Sequence, residues 1–488
     1  MKDSNGEQAP AQEVNVMALS DDIKLYHSTD NEPFATIDTG GYRKVFLLRS
    51  KDFQDHIKAD YRKKFGKFLN AKVFQDFMNL LEYKAKEESP QRQLFKRIAA
   101  TDDAIYVDLN DDQWRVVKIT KTGWKALRRT QVHFVRTNGS RPLPYPVKSK
   151  SSIEAFKILK EFLNTNSNGY VLIIGWIIGC FLIKGPFPLL VIQGEAGSGK
   201  STVAEFLKDL IDPSKAPLRT LPKNEQDLMI SAKNGWVLVF DNLSKIQRWL
   251  SDAFCRLSTG GGLSTRKLYL DSDEILFDAV RPLILNGIEQ IVTQEDLADR
   301  ALVVEMKNIP EDQRKPKEFI VNKLEESKPL ILGAIFTAVS MALRNREKIK
   351  LDSYPRMADF LHFIVAAEPA VFATEGKFLH AMQNNSRDIG LICIDTDPVA
   401  AAISKLLKGN NGKWRGTSGE LLRCLENNLS EERKELILKD KSWPKAPNSL
   451  SLRLKELAPT LRKANINIVK APRSAKKKLW KITSVKRK

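Results

Sequence analysis

The sequence predicts an α/β protein: a phosphate-loop core with a helical lid, an N-terminal α+β module before it and a C-terminal domain of helices closed by a hairpin. Three observations predict this. The run Pro188 to Ser201, PLLVIQGEAGSGKS, is an apolar segment of strand length ending in Gly, four residues, Gly, Lys, Ser. Strand-like and helix-like segments alternate after it, one of them ending in Asp241. From Pro398 onward, three helical patterns precede two β-like runs.

The loop pattern has a chemical reason. Glycines let successive backbone N–H groups turn inward around a phosphate, and the following helix offers its positive end to the same anion. Gly194, Glu195, Ala196, Gly197, Ser198, Gly199, Lys200 and Ser201 are the candidate nucleotide-binding residues. In this pattern Lys200 reaches the β and γ oxygens and Ser201 gives its hydroxyl to Mg²⁺, so ATP and Mg²⁺ are the expected cofactors. The bland alternative is a glycine-rich turn that binds nothing. The strand before it and the amphipathic STVAEFLKDLI after it weigh against that.

At 488 residues the chain is long enough for roughly three domains. Apolar content of 42% and charged content of 28% are those of a soluble globular protein. The net charge of +20 is uneven: residues 113–150 carry ten Lys or Arg and no acid, and residues 470–488 carry nine and none. Two such zones point to a polyanion partner, or else to solvated lysine-rich faces. Cys180, Cys255, Cys393 and Cys424 lie at least 31 residues apart, so neither a zinc knuckle nor a disulfide framework is signalled. They read as buried thiols in a reducing compartment. The apolar run Val171–Ile183 has 13 residues, short of the roughly 20 that cross a bilayer, and MKDSNGEQAP has no signal-peptide core. A cytoplasmic protein with no membrane partner is expected.

Residues 1–20 are polar and aperiodic, which predicts a disordered lead-in. The α+β module covers 21–136. From Pro33, FATIDTGGYRKVFLLR reads as a hairpin around Gly40-Gly41; KDFQDHIKADYRKKFGKFL and AKVFQDFMNLLEYKAKEE read as helices, and AIYVDL, QWRVVKIT and QVHFVR as strands. Tyr61, Phe65 and Phe68 stand among Arg62, Lys63, Lys64 and Lys67, and serve either the core or base stacking, the core being the commoner use. The acid-free end of the module is a candidate nucleic-acid contact. Residues 137–152, with Pro142, Pro144 and Pro146 among Gly, Ser and basic residues, read as a linker.

The core covers 153–310. Two helices, IEAFKILKEFLN and the apolar segment around Trp176, lead into the loop strand. After the loop helix come the extended piece PLRTL, the helix EQDLMISAK and the strand Trp236–Phe240 ending in Asp241-Asn242. A buried strand ending in an acid at this distance from a phosphate loop predicts that Asp241 holds Mg²⁺ through water. SKIQRWLSDAFCRLS reads as a helix, and LSTRKLYL with ILFDA as a hairpin tipped by Asp271-Ser272-Asp273-Glu274. The strand Arg281–Leu285 ends in Asn286, which either orients an attacking water or forms the turn before Gly287. Arg300, just before the strand ALVVEM, closes an internal ion pair or projects into a neighbouring subunit's nucleotide. Residues 311–396 are mostly helical, a lid behind the nucleotide.

In order and spacing, GEAGSGKS, VLVFDN, CRLSTGGGLSTRKLY, RPLILNG and LADRALVV resemble the AAA+ ATPases of phages and integrative mobile elements, relatives of the superfamily 3 and minichromosome-maintenance-like DNA helicases. The likeness implies that Gly194 to Thr202 forms the nucleotide loop, that Asp241 is the metal acid, Asn286 the polar sensor and Arg300 an arginine finger acting across a subunit interface. It also implies that Arg356 is a second sensor arginine and that the protein works as a ring, usually a hexamer. Two departures stand out. Many AAA+ proteins have Asp-Glu where this chain has Asp241-Asn242; hydrolysis is still expected, because positioning and charge stabilisation dominate phosphoryl transfer, but no general base is assigned. The hairpin tip is acidic, with Arg266 and Lys267 lower on the arm, which weakens a DNA-tracking role for it.

Residues 397–488 read as a winged-helix domain with a basic tail: VAAAISKLLK, GTSGELLRCLENNL with a capping box at Thr417 and Glu420, SLSLRLKELAPTLRKANI, then INIVK and KKLWKI. Arg453, Lys455, Arg462 and Lys463 on its third helix, with Lys476, Lys477 and Lys478 on the wing, suit groove and phosphate contacts, although such domains also bind proteins. The resulting expectation is an ATP-dependent DNA helicase or translocase for replication of a mobile element, hydrolysing ATP at subunit interfaces, with single-stranded or forked DNA and replication proteins as partners. The alternatives are a nucleotide-gated DNA-binding regulator and a protein–DNA remodelling ATPase that does not unwind.

Overall fold

Four parallel strands, Leu189–Gln193, Leu238–Leu243, Leu283–Gly287 and Ala301–Glu305, organise the molecule in a computed structural model. It describes residues 12–182, 184–261, 263–266, 274–277, 279–288, 291–292, 294–351, 356–429, 431–440, 442–474 and 477–484. Across the sheet the order is the Asp241 strand, the Asn286 strand, the loop strand and the Ala301 strand. Their runs of Leu, Val and Ile are buried, as strands covered on both faces require. Gln193 stands level with Gly287 on one side and Glu305 on the other. Two strands lie on one side of the loop strand and one on the other, so a crevice opens at its carboxyl end. PLRTL runs along the outer edge through a parallel bridge between Arg219 and Phe240. Pro217 and Pro222 bracket it and keep it from becoming a full strand.

Helices Ser152–Lys160, Ser167–Gly179, Lys317–Asn345, Ala358–Ala367 and Lys377–Thr396 share a core that includes Trp176, Phe336, Phe360 and Phe378. Lys317–Asn345 is long and apolar enough to cross a membrane by length and composition, but Ile331, Ile335 and Val339 on it are buried in this core.

The N-terminal module has the expected hairpin, Pro33–Asp38 against Arg43–Leu47, with Asp38 opposite Arg43. The strand Ile23–His27, not foreseen, pairs on its other side. A second sheet comprises Ile98–Ala100, Ile105–Asp108, Val116–Thr120 and Gly123–Leu127. The disordered lead-in is corrected in part: Gln12–Met17 is a helix, and Val16 on it and Leu19 just beyond it join Phe74 and Phe77 in a core. Tyr61 belongs to that core as well, whereas Phe68 is exposed beneath the Arg62 guanidinium, 4.7 Å from its ring centre.

The linker is also corrected, since residues 137–152 lie against the core. Three prolines remove donors, and the donors that remain find carbonyls elsewhere: Arg141 N on Pro213 O at 2.9 Å, Leu143 N on Leu109 O at 2.8 Å and Val147 N on Pro329 O at 2.9 Å. Leu143 is buried. The zone 113–150 is acid-free in sequence but not in space, for Arg115, Lys121, Arg129 and Arg136 pair with Asp111, Glu347, Asp38 and Asp108. These pairs leave less free charge for a polyanion than the sequence count implies.

Arg97 joins the module to the core. It donates to Asp212 Oδ1 at 3.0 Å and to the carbonyls of Asp108 and Arg141 at 2.9 Å each. Asp212 also accepts from Lys208 at 2.5 Å and from the backbone N–H of Trp236 at 2.8 Å.

In the C-terminal domain the helices Pro398–Gly409, Ser418–Asn427 and Pro447–Lys463 and the hairpin Ile466–Ser474 with Lys477–Ser484 follow in the expected order, with the Thr417–Glu420 capping box formed. The helix Glu431–Lys439 and the strand Lys413–Gly416, which pairs with Lys477–Ser484, are additions.

Candidate phosphate-binding site

The loop strand delivers Gly194 at φ 150°, and the turn closes through Gly197 and Gly199, both left-handed at φ 79° and 82°, before the helix that begins at Lys200. A Cβ on Gly194 would stand 2.7 Å from the Met306 carbonyl, so the cradle forms only with glycine there. Glu195, Ala196 and Gly197 are exposed at its rim, and Ser198 is buried beneath them. Lys200 Nζ folds back over the loop, donating to the Glu195 carbonyl and to Ser198 Oγ at 3.3 Å. Burial holds its ammonium below the usual lysine range, against the opposing pull of Asp241.

Ser201 Oγ donates to Asp241 Oδ1 at 3.0 Å; Asn286 Nδ2 donates to that same oxygen and to Ser201 Oγ at 3.2 Å. Strand register explains the meeting. Phe240 is opposite Leu285, so the next residue on each strand, Asp241 and Asn286, emerges at the carboxyl edge beside the loop. Asn286 is buried and its Oδ1 has no hydrogen-bond partner. A buried acceptor left this way costs about 1–3 kcal/mol, which a bound ligand or water would recover. A carboxylate, a hydroxyl and an amide are hard oxygen donors of the kind Mg²⁺ takes, and the left-handed glycines leave room for phosphate, so these residues fit a Mg²⁺-nucleotide.

Asn242 sits one residue further on at φ 59°, exposed, where the pairing shifts between Phe240 and Leu243. Asparagine is one of the few residues with a side chain that readily adopts this backbone, which accounts for its place after Asp241.

Arg300 lies elsewhere. Its carbonyl accepts from Leu189 N at 2.8 Å, at the start of the loop strand, five residues before Gly194 and therefore about 16 Å from the cradle. Its Nη1 donates to the Asp296 carbonyl at 2.8 Å and to Asp296 Oδ1 at 3.3 Å, so the internal pair exists. Arg356, the second sensor arginine of the resemblance, lies beside Arg300 at the far end of the sheet, its Nη1 3.2 Å from Asp299 Oδ2. Lys463 occupies the other oxygen of Asp299, which ties the C-terminal domain to the same point.

Among the DNA candidates, Lys455 and Arg462 are exposed. Arg453 is not free: it pairs with Asp397 and, at 2.9 Å, with Glu456, because Asp397 caps the neighbouring helix and lies within its reach. Lys267 and Lys476, and the tip Asp271–Asp273, lie outside the described residues, as do the side chains of Arg266, Lys477 and Lys478.

The sequence reading missed the segment Met306–Arg314. Met306 N donates to Gln193 O at 2.8 Å, and the chain then runs over the loop, with Asn308 Nδ2 3.3 Å from Glu195 Oε2. No motif marks it. Its position follows only once the Ala301 strand is known to flank the loop strand.

The fold is that of a mixed α/β protein with its polar cluster at the carboxyl edge of a parallel sheet. Residues 153–389 match the family model described as "Actinomycete integrative conjugative element replication protein", and residues 399–488 match that of the AICE RepA C-terminal domain. The two matches together take in well over half of the chain, which belongs to this family of replication proteins of integrative conjugative elements. No curated protein matches it. Among solved structures, an A form apo structure of the NrS-1 C terminal region shares 14% identity over 98% of this chain and 100% of its own, with a TM-score of 0.39. Another apo structure of that region shares 12% over 98% and 100%, with a TM-score of 0.38.

Proposed function

We propose that the chain is an AAA+-type ATPase that drives a DNA helicase or translocase, working in the cytoplasm on the replication of an integrative conjugative element. The observation that carries this is the convergence of Ser201, Asp241 and Asn286 beside Lys200, at the carboxyl end of the loop strand. Bound Mg²⁺ would neutralise charge on the nucleotide's terminal phosphates. Ser201 and Asp241 would hold the metal, Lys200 would swing from Glu195 and Ser198 onto the phosphates, and the Asn286 amide would orient the attacking water. Arg300, too far from its own cradle, would complete the site of a neighbouring copy, which makes a ring the working assembly. The C-terminal domain, read as a winged helix, would meet DNA through Lys455 and Arg462.

The second reading, a nucleotide-gated DNA-binding regulator, draws on position 242, where an exposed amide stands in place of a carboxylate base. ATPase measured on the size-separated oligomer, with and without single-stranded DNA and with Lys200→Ala as control, tests both. DNA-stimulated turnover that Lys200→Ala abolishes is expected. DNA binding with negligible turnover would select the regulator, and turnover unaffected by Lys200→Ala would remove the proposed site.

A further inference from the structure

A cation from the same chain already lies on the phosphate loop. Arg314 Nη2 is 3.1 Å, and its Cζ 3.6 Å, from the point where a Cβ on Gly197 would stand. A Cβ there would press the guanidinium back by a few tenths of an ångström. Arg314 Nε donates to Ile309 O at 3.2 Å, which fixes the plane of the guanidinium and turns its Nη edge to the loop. Its ion-pair partner, Glu311, is 3.9 Å away with 92% of its side chain exposed, so most of the positive charge is unneutralised.

The segment that carries Arg314 is anchored at its base and grips the loop along its length. Lys307 N donates to Asn164 O at 2.9 Å, and Asn164 Nδ2 returns a bond to Lys307 O at 2.6 Å. Asn308 meets Glu195, and Ile309 Cδ1 lies 3.5 Å from the Cβ position of Gly199. Three residues of this strap therefore touch the loop at 195, 197 and 199. Lys200 folds back over the loop onto Glu195 and Ser198 and Arg314 stands against it at Gly197, so two cations of the chain meet the same short turn.

We propose that Arg314 is a phosphate ligand for the nucleoside triphosphate bound by its own loop, with Met306–Arg314 as a strap that holds it there. The inference rests on the nucleotide-binding reading above and extends it to a residue outside the loop motif. A guanidinium at the middle of the loop contributes more to a triphosphate than to a diphosphate, because the triphosphate carries more negative charge for it to meet.

Equilibrium binding of ATP and of ADP to the full chain, compared with Lys200→Ala, Arg314→Ala and Arg314→Lys, tests it. Because Arg314 is half exposed, its replacement leaves the fold intact. Loss of a charge-assisted contact should weaken ATP binding about tenfold in Arg314→Ala and ADP binding less than about threefold, with Arg314→Lys in between. Wild-type binding lost in Lys200→Ala but kept within about twofold in Arg314→Ala would overturn this inference while leaving the nucleotide site standing. Equal losses for ATP and ADP would overturn it as well. Absence of ATP binding by the wild-type chain is the separate result that removes the nucleotide reading itself.

Discussion

Ser201 and Asp241, 40 positions apart in the chain, are joined by a 3.0 Å hydrogen bond that brings the start of the loop helix to the tip of a neighbouring strand. Asn286 donates to both partners and is held by them, so the three side chains behave as one polar unit.

Removing the amide from that unit tests its proposed role. Asn286→Ala leaves Asp241 and Ser201 bonded to each other, so nucleotide affinity should change less than about threefold while turnover falls about 10²-fold, as for loss of one positioned donor at a reacting centre. Steady-state ATPase with parallel ATP binding measures both. Unchanged turnover would mean that Asn286 only ends its strand.

Asp212 is expected to matter more for stability than any single member of the site. Burial alone would raise its carboxyl, but Lys208 and Arg97 hold it well below the usual carboxylate range. Asp212→Asn leaves two buried cations without their anion, which should cost about 3–5 kcal/mol in urea unfolding. A group depressed in this way stabilises the fold above its unfolded pKa of about 4, and that contribution is lost as pH falls towards its folded value. Acid unfolding of the wild type should therefore begin below about pH 4, and the variant's curve should be flatter there. A change of less than about 1 kcal/mol would show that the junction is held by its apolar contacts.

Lys96, near this junction, costs stability at neutral pH where Asp212 adds it, although stability rises with pH through both windows. Burial, helped by the nearby Arg281, pushes its ammonium down to about 8 from 10.5. Between these values the unfolded chain keeps a proton that the folded chain has shed, so stability rises with pH across the window and the full cost is present below 8. Lys96→Met should remove that cost, stabilising the protein at neutral pH by about 1–3 kcal/mol and flattening the rise towards alkaline pH. Urea midpoints at neutral pH and at two points inside the window measure it, and identical slopes for variant and wild type would refute it.

The parts legible in the sequence were those written in local pattern. The loop strand, the Asp241 strand and the Asn286 strand are short apolar runs ending in a polar residue, and the hairpin at Gly40-Gly41 carries its own turn chemistry. What escaped depends on neighbours far away in the chain. Lys121 and Arg129, two of the ten cations of 113–150, look free until folding brings Glu347 and Asp38 to them. The proline segment looks like a linker until Leu143 finds a core and Arg141 and Val147 find carbonyls. Asn242 reads only as a missing general base until its left-handed backbone shows a second reason for asparagine there. Arg356 and Arg314 are indistinguishable in pattern, and only the position of the Ala301 strand decides which of them meets the loop.

Arg300 poses the sharpest test of assembly. Its backbone is bonded to Leu189, at the end of the sheet away from the cradle, and no rotamer closes a gap of about 16 Å. Its pair with Asp296 is no obstacle to a role elsewhere, because Asp296 is largely exposed and such pairs contribute only about 0–1 kcal/mol. If Arg300 serves the nucleotide of an adjoining copy, Arg300→Ala should still bind ATP but lose turnover by about 10³-fold or more. Mixing it with Lys200→Ala then becomes decisive. Each inactive variant supplies what the other lacks, so mixed assemblies should regain activity at interfaces that pair an intact loop with an intact arginine. No recovery at any ratio, in assemblies shown to exchange subunits, would confine Arg300 to its bond with Asp296 and leave the ring without its shared site.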